Sequence, residues 1–351
     1  MEENFEFTTV EQQLDKLTSQ HLMIEDRNEA KIALATYGYY SIVNGYRDPF
    51  IIREYDKKYY RPNTTFQEIF DLFLFDHRIR DQVFLSMIDL EEHLKTVTAE
   101  VIAESFGSDY KEYLKKNNYR DKHVSDPKFR RNNILDSMMN VASKSEKQPV
   151  KYYREHHKIV PPWILFKAIY FGTFVNFVRF LKADERNMLI QRLYGVSVTD
   201  DNIDFYKDLL SDTLFLCLEY RNLAAHGGRV YNYIPKASVR ELPGKIPFAQ
   251  NGLPQLLYVL ECFSYKLPYR NLFNTISKEI NIFGQKYVDD IPILSTSIGL
   301  EIEQRPLVLI NPKSKIYHRS KYCGNCSKLD TLDLDTAVKL GYSPCKRCCP
   351  L

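Results

Sequence analysis

Five of the seven cysteines lie in the last 29 residues of this 351-residue chain, and four of them form two close pairs. Two residues separate Cys323 from Cys326, two separate Cys345 from Cys348, and 18 residues lie between the pairs. Thiolate pairs at such spacing are typical of tetrahedral zinc sites. His318, just before the first pair, offers an imidazole as another ligand. The sequence therefore predicts a structural Zn²⁺ held by four Cys or by one His and three Cys.

The segment around these cysteines is basic. From 313 to 349 it carries eight Lys and Arg residues against three Asp. A small basic surface of this kind can bind phosphates. The predicted RNA-binding residues are those beside the cysteines: Arg319, Lys321, Lys346 and Arg347. The alternative is a zinc module that only stabilises its own fold.

A second candidate site consists of Arg221 and His226, with four residues between them. An imidazole near a helix C-terminus favours its charged form and titrates near neutral pH. It can take the proton of an RNA 2′-OH or give one to the leaving 5′ oxygen, while a guanidinium stabilises charge on the phosphate. Arg229 adds a third basic group. The spacing alone is weak evidence, because a lone His near a helix end is often a capping or core residue.

The element that positions this pair is predicted to be an amphipathic helix over 205–225, ended by Gly227 and Gly228. Five helical positions correspond to about 140° of rotation, so Arg221 and His226 do not share one helix face. A two-fold homodimer would bring two copies of the pair together and supply two histidines.

Helical periodicity extends over most of the first 290 residues. A capping box at 65–68 begins a long helix, and an apolar seam follows over 83–101. The apolar segment 159–181 contains Lys167 and Arg179, so we predict one buried helix there and no membrane span.

The composition, and the way it changes along the chain, indicate the domain organisation. The net charge of +3 is small, so any nucleic-acid affinity must come from local patches. No signal peptide is readable, and clustered thiols favour a reducing cytoplasm. We predict a helical domain over 1–290, a linker or short strand over 291–312 and a small zinc-binding module over 313–351.

Motifs in order along residues 8–235 resemble the Abi-like abortive-infection proteins, whose core is a divergent HEPN helical domain. The motifs include Asn44-Gly45-Tyr46, Thr65-Phe66, Leu90-Glu91, Pro161-Pro162-Trp163, Phe171-Gly172-Thr173 and Arg221-Asn222 followed by Ala225-His226. The resemblance implies an all-α, HEPN-like helical bundle. It also implies a metal-independent endoribonuclease that acts as a toxin in phage defence.

The same resemblance implies that Arg221 and His226 are catalytic. Asn222 occupies the polar position after the motif Arg, and Glu91 matches an acidic position that could orient the motif. The alternative for Glu91 is an ordinary salt bridge. The implied partners are RNA, a second copy of the chain and a neutralising antitoxin or small RNA. The competing function is a non-catalytic RNA-binding or sensing protein with a structural zinc module.

The last residues resemble the Ada-type zinc modules, through Tyr317-His318 and the run 341–348. That resemblance implies the ligand set His318, Cys323, Cys345 and Cys348, and leaves Cys326 as the alternative ligand. It also suggests a zinc-dependent DNA-binding or DNA-modifying protein. Zinc-dependent catalysis is disfavoured, because four protein ligands leave no open position for water.

Overall fold

The computed structural model describes residues 7–54, 57–241, 248, 250–300, 302, 307–318, 323 and 329–349. Within these ranges helices predominate, in agreement with the predicted helical fold. The α-helices of these ranges are α1 (Val10–Ser19), α2 (Arg27–Tyr37), α3 (Phe66–Phe106), α4 (Tyr110–Tyr113), α5 (Arg131–Lys144), α6 (Val150–Tyr152), α7 (Pro162–Ala168), α8 (Phe171–Val178), α9 (Ala183–Tyr194), α10 (Ile203–Ala225), α11 (Leu253–Cys262), α12 (Leu267–Lys286), α13 (Ile291–Ile298) and α14 (Leu334–Lys339).

Two small sheets make the described chain less than purely helical. The strands are β1 (Ile51–Glu54), β2 (Lys57–Tyr60), β3 (Leu307–Asn311), β4 (Ile316–His318), β5 (Asp330–Asp333) and β6 (Ser343–Pro344). β1 and β2 form an antiparallel hairpin, and the other four form a sheet in the order β5-β3-β4-β6. None of the helices in the described ranges combines the length and hydropathy that a membrane span requires.

The chain divides into two compact units, one of Met1–Arg78 with Thr275–Leu351 and one of Ile79–Asn274. The domain boundaries that the sequence predicts at 290 and 312 stay predictions. Within the predicted linker the structure has a helix, α13, as well as strand β3.

The start of α3 follows the predicted capping box. The Thr65 backbone N–H donates to Glu68 Oε2 at 3.3 Å, and the Glu68 N–H donates to Thr65 Oγ1 at 3.1 Å. These reciprocal bonds satisfy two donors that a helix N-terminus otherwise leaves unpaired. The predicted apolar seam of this helix is buried along its length: Val83, Met87, Leu90, Leu94, Val97 and Val101.

The prediction of one helix over 159–181 is wrong, because the segment forms α7 and α8 with a break between them. Ile169 and Tyr170 are extended there, with ψ of 150° and 148°. The Lys95 ammonium donates to the Ile169 carbonyl at 2.8 Å, so a carbonyl at the break gains a charged donor. Hydropathy predicts the burial of this segment correctly but does not distinguish one helix from two.

The helix that carries the Arg–His pair, α10, packs against α8, α9 and α11. It ends in a Schellman motif. The Gly228 N–H donates to the Leu223 carbonyl at 2.9 Å and the Gly227 N–H to the Ala224 carbonyl at 3.2 Å. Gly227 has φ of 72°, which favours glycine. The predicted helix end is therefore confirmed.

The C-terminal sheet surrounds a small core of its own. β3 pairs antiparallel with β4 and β5, while β4 pairs parallel with β6. The buried residues of this core are Val308, Tyr317, Ala337, Tyr342, Cys345 and Cys349. So few apolar side chains supply little folding free energy, which is why such modules often depend on a metal.

Candidate functional site

Strand pairing places one half of the candidate metal site. Tyr317 of β4 pairs with Pro344 of β6, and the Cys345 N–H donates to the Tyr317 carbonyl at 2.9 Å. His318 ends β4 and Cys345 directly follows β6, so this pairing brings the two residues together. The tight turn after β6 then returns Cys348 to the same place, where the Cys349 N–H donates to the Cys345 carbonyl at 2.8 Å.

The donor atoms of His318, Cys323, Cys345 and Cys348 lie within 4.8 Å of one another. The sulfurs of Cys323 and Cys345 are 3.7 Å apart, and Cys348 Sγ is 3.6 Å from His318 Nδ1. A tetrahedral zinc ion would separate two sulfurs by about 3.8 Å and a sulfur from a nitrogen by about 3.6 Å. The cluster therefore fits a tetrahedral metal ion and could hold one.

Backbone donors favour the ligand form of Cys345. The N–H groups of Cys348 and Arg347 lower the pKa of its thiol to about 7, since they stabilise the thiolate. Burial, followed by the neighbouring Cys348 and Cys345 thiols, raises the pKa of Cys323 to about 12. Crowded thiols oppose each other's ionisation, and a bound cation would relieve that repulsion.

The other residues predicted for this module are partly placed. Cys326, Arg319 and Lys321 lie outside the described residues. Lys346 and Arg347 are exposed on the turn between two ligands. Cys349 belongs to the apolar core of the module.

Arg221 lies on α10 beside an acidic residue of α3. Its Nε is 3.8 Å from Glu91 Oε2, and Glu91 Oε1 accepts from the Lys95 ammonium at 2.7 Å. Glu91 thus forms ion pairs with both Lys95 and Arg221, which the salt-bridge alternative predicts. Its role in orienting the motif stays a prediction. The Arg221 side chain is 31% exposed, whereas those of Glu91 and Lys95 are 13% and 9% exposed.

Arg221 also lines a cleft of about 290 Å³. The residues around the cleft come from α3, α7 and α10: Ile88, Glu91, Glu92, Lys95, Thr96, Trp163, Phe166, Lys167 and Arg221. No motif in the sequence predicts a site role for Trp163 or Lys167. The sequence feature that could have indicated a role is their spacing, since Trp163 and Lys167 lie one helical turn apart in an otherwise apolar segment.

His226 caps the C-terminus of α10 and is exposed. Its backbone N–H donates to the Asn222 carbonyl at 3.1 Å. The carbonyl of Gly227, the residue after His226, accepts from Arg80 Nη1 at 3.1 Å. Arg80, for which the sequence predicts no site role, therefore lies beside the turn that follows His226. The Asn222 and Arg229 side chains are also exposed.

The two motif residues occupy different positions on a helix that is continuous to Ala225. Arg221 lines the cleft from the last turns of the helix, whereas His226 is the C-cap residue just beyond its end. An exposed imidazole and a half-exposed guanidinium can both reach a polyanion. Together they offer a proton carrier and a fixed positive charge, two groups that can assist phosphodiester cleavage.

Comparison with known proteins covers the same part of the chain. The sequence pattern of the family described as Abi-like protein matches residues 32–232, which include Glu91, Trp163, Arg221 and His226. No curated protein and no solved structure matches the chain. Since the match extends over more than half of the sequence, the chain belongs to the Abi-like protein family.

Proposed function

We propose that this protein is an abortive-infection effector that cleaves RNA without a catalytic metal, through Arg221 and His226 of a HEPN-type helical domain. Membership of the Abi-like family supports a role in phage defence. The observation that carries the proposal is the placement of the pair: His226 is exposed at a helix end fixed by the Gly227-Gly228 turn, and Arg221 lines a cleft on the same helix.

The chemistry follows from these two groups. One neutral imidazole takes the proton of a 2′-OH, and the 2′ oxygen attacks phosphorus. The bond to the 5′ oxygen breaks, and a protonated imidazole gives that oxygen its proton. The products are a 2′,3′-cyclic phosphate and a 5′-hydroxyl. Arg221 stabilises the negative charge that builds up on the non-bridging phosphate oxygens.

A two-fold dimer supplies what one copy lacks. A single chain has one His226, but the reaction uses a base and an acid. A homodimer that joins the exposed ends of two α10 helices would place two histidines and two arginines around one phosphodiester. Asn222 and Arg229, exposed on the same end, would then line this joint surface.

We further propose that the metal is zinc and that its role is structural. A ligand set of one His and three Cys is typical of closed zinc sites, and the sulfur and nitrogen spacings fit that geometry. When bound, the ion would join β4, β6 and the intervening segment into one fold. Lys346 and Arg347, exposed beside the ligands, would then help to hold RNA phosphates.

The test is cleavage of single-stranded RNA by purified protein in EDTA. We expect cleavage with 2′,3′-cyclic phosphate ends, and we expect His226→Ala to lower the rate by about 10²- to 10⁴-fold, the usual contribution of a general base or acid. His123→Ala, at another exposed histidine of the same unit, is the matched control and should keep full activity.

Full activity of His226→Ala would contradict the mechanism. RNA binding without turnover in the wild-type protein would favour the alternative function, a non-catalytic RNA-binding or sensing protein. A nuclease toxin also requires restraint in its host, so we expect a neutralising protein or small RNA that suppresses cleavage when added to the assay.

A further inference from the structure

We propose that the cleft beside Arg221 is a base-binding subsite, in which Trp163 stacks on one unpaired base of a single-stranded RNA. This inference rests on the proposed function, because it names the substrate class of that site and how the strand is held. It assigns a role to Trp163, Lys167 and Glu91 that cleavage chemistry alone does not give them.

Trp163 presents an aromatic surface at a position where burial would be expected. It is the second residue of α7, and the flanking residues Pro162 and Ile164 are buried. Trp163 itself is 44% exposed and borders the cleft. Exposed aromatic rings beside positive charge are the usual stacking surfaces for single-stranded nucleic acids, and every base can stack on them.

The charges in the cleft suit one nucleotide. Lys167 lies one turn after Trp163 on α7 and is exposed, and Arg221 approaches from α10. Lys95 is engaged by Glu91 and by the Ile169 carbonyl. Glu91 and Glu92 oppose the three cations, so the cleft has a formal charge of only +1. Phosphate alone is therefore expected to bind weakly, and stacking must supply much of the affinity.

Two residues that line the cleft, Arg221 and Glu91, each carry a buried polar atom whose hydrogen-bonding capacity is unused within the described part of the chain. Arg221 Nε and Glu91 Oε2 are both buried, and neither has a hydrogen-bond partner among the described residues. They are 3.8 Å apart, which is beyond hydrogen-bond distance. A ligand edge with both a donor and an acceptor, such as a base amide or a ribose hydroxyl, would satisfy them together once the two side chains turn into the cleft.

The size of the cleft fits the same ligand. Its volume of about 290 Å³ is at the lower end of small-ligand sites, which measure about 300–1,000 Å³. A single nucleotide suits such a space. Bases inside a duplex are already stacked on their neighbours, so only a single strand, loop or bulge can present one to Trp163.

The chain has one tryptophan, so its fluorescence reports on this subsite alone. The probe is a 2′-O-methyl oligoadenylate of six nucleotides, which cannot be cleaved because its 2′ oxygens are methylated. We expect saturable quenching of Trp163 in the full-length protein. Inorganic phosphate at the same concentration should not quench, and a longer, stably paired duplex that contains the same sequence should not quench either.

Variants then measure the contribution of the ring, by the anisotropy of a labelled probe. Trp163→Leu should weaken binding by about 5- to 150-fold, the usual effect of losing one stacked base, and Trp163→Phe should recover most of it. Lys167→Gln should weaken binding and reduce its salt dependence. The controls are Tyr170→Leu, at an 81% exposed aromatic that does not line the cleft, and Lys144→Gln, at an exposed lysine of the same unit. Both should bind like wild type.

Wild-type affinity in Trp163→Leu, equal quenching by the duplex, or binding without quenching would each overturn the base-binding subsite. None of these results depends on cleavage, because the probe is not a substrate. If they occur while His226→Ala still abolishes RNA cleavage, the nuclease stands and the subsite fails. If Trp163→Leu loses binding while His226→Ala remains fully active, the subsite stands and the proposed mechanism fails.

Discussion

At the scale of single residues, Glu91 is expected to matter for stability because it neutralises a buried lysine. The Lys95 side chain is 9% exposed, and the described contacts of its ammonium are Glu91 and one backbone carbonyl. Removing one partner of a buried ion pair leaves a charge without compensation, which is strongly destabilising.

We therefore expect Glu91→Gln to lower the free energy of unfolding by about 3 kcal/mol. The double variant Glu91→Gln with Lys95→Met should recover most of that loss, since it removes the unpaired charge. Urea unfolding measures both. An unchanged unfolding midpoint in the single variant would show that Lys95 finds compensation elsewhere.

Gly227 controls the turn that follows His226. Its φ of 72° is in the left-handed region, and a Cβ there would meet no atom within 4 Å. A side chain at this position would therefore destabilise the fold only through the strained backbone conformation, not through a clash. We expect Gly227→Ala to reduce the free energy of unfolding by about 1–2 kcal/mol, and Gly227→Asn to cost less because Asn tolerates this conformation. Equal stability of the Ala variant and wild type would contradict the assigned turn.

Local spacing accounts for the residues that the sequence predicted well. The cysteine spacing and the zinc-module resemblance predicted the cluster of His318, Cys323, Cys345 and Cys348, although pairing of β4 with β6 is what brings His318 to Cys345. Trp163 and Arg80 were not, because their neighbours on α10 are distant in sequence and only tertiary packing brings them to the motif. The role of Cys326 stays a prediction.

Among the elements, those with strong local signals were predicted and those with ambiguous signals were not. The α3 start has a capping box, and its seam has helical periodicity, so both were predicted. The break between α7 and α8 lies in a mostly apolar segment, and its two extended residues, Ile169 and Tyr170, are neither Gly nor Pro. The donor that stabilises the break is Lys95, which lies 74 residues away in sequence.

The α3 capping box also contains a titratable group. Burial, and then the neighbouring Asp290, raise the pKa of Glu68 to about 7, although Arg61 beside them opposes the shift. The native protein therefore keeps a proton that the unfolded chain releases above its ordinary pKa of about 4.5. The contribution of this group to stability is present at low pH and is lost as the pH rises toward 7.

We expect the free energy of unfolding to fall between about pH 5 and 7 because of this group, by at most about 1.4 kcal/mol per pH unit. Glu68→Gln should flatten that slope and keep the cap, because Gln also forms a capping box. Glu29→Gln, at an exposed first-turn glutamate of α2, should leave the slope unchanged. An identical slope in Glu68→Gln and wild type, from urea titrations, would refute the assignment.

For the chain as a whole, the metal and the nuclease are expected to be separable. We expect one equivalent of zinc in the purified protein by atomic absorption, and loss of that zinc in Cys348→Ser. Cys262→Ser, at a half-buried cysteine outside the cluster, should retain it. Chelation should leave the helical circular dichroism signal nearly unchanged, since the cluster lies among short strands. A large loss of helix on chelation would contradict this separation.

The measurement that decides the account is sequencing of the RNA ends produced when the wild-type chain or His226→Ala is expressed. The proposed mechanism predicts new internal ends in the wild type, with 2′,3′-cyclic phosphate on one side and 5′-hydroxyl on the other, at unpaired positions. These ends should be absent with His226→Ala at equal protein level. The same ends in both samples would show that Arg221 and His226 do not form the catalytic site.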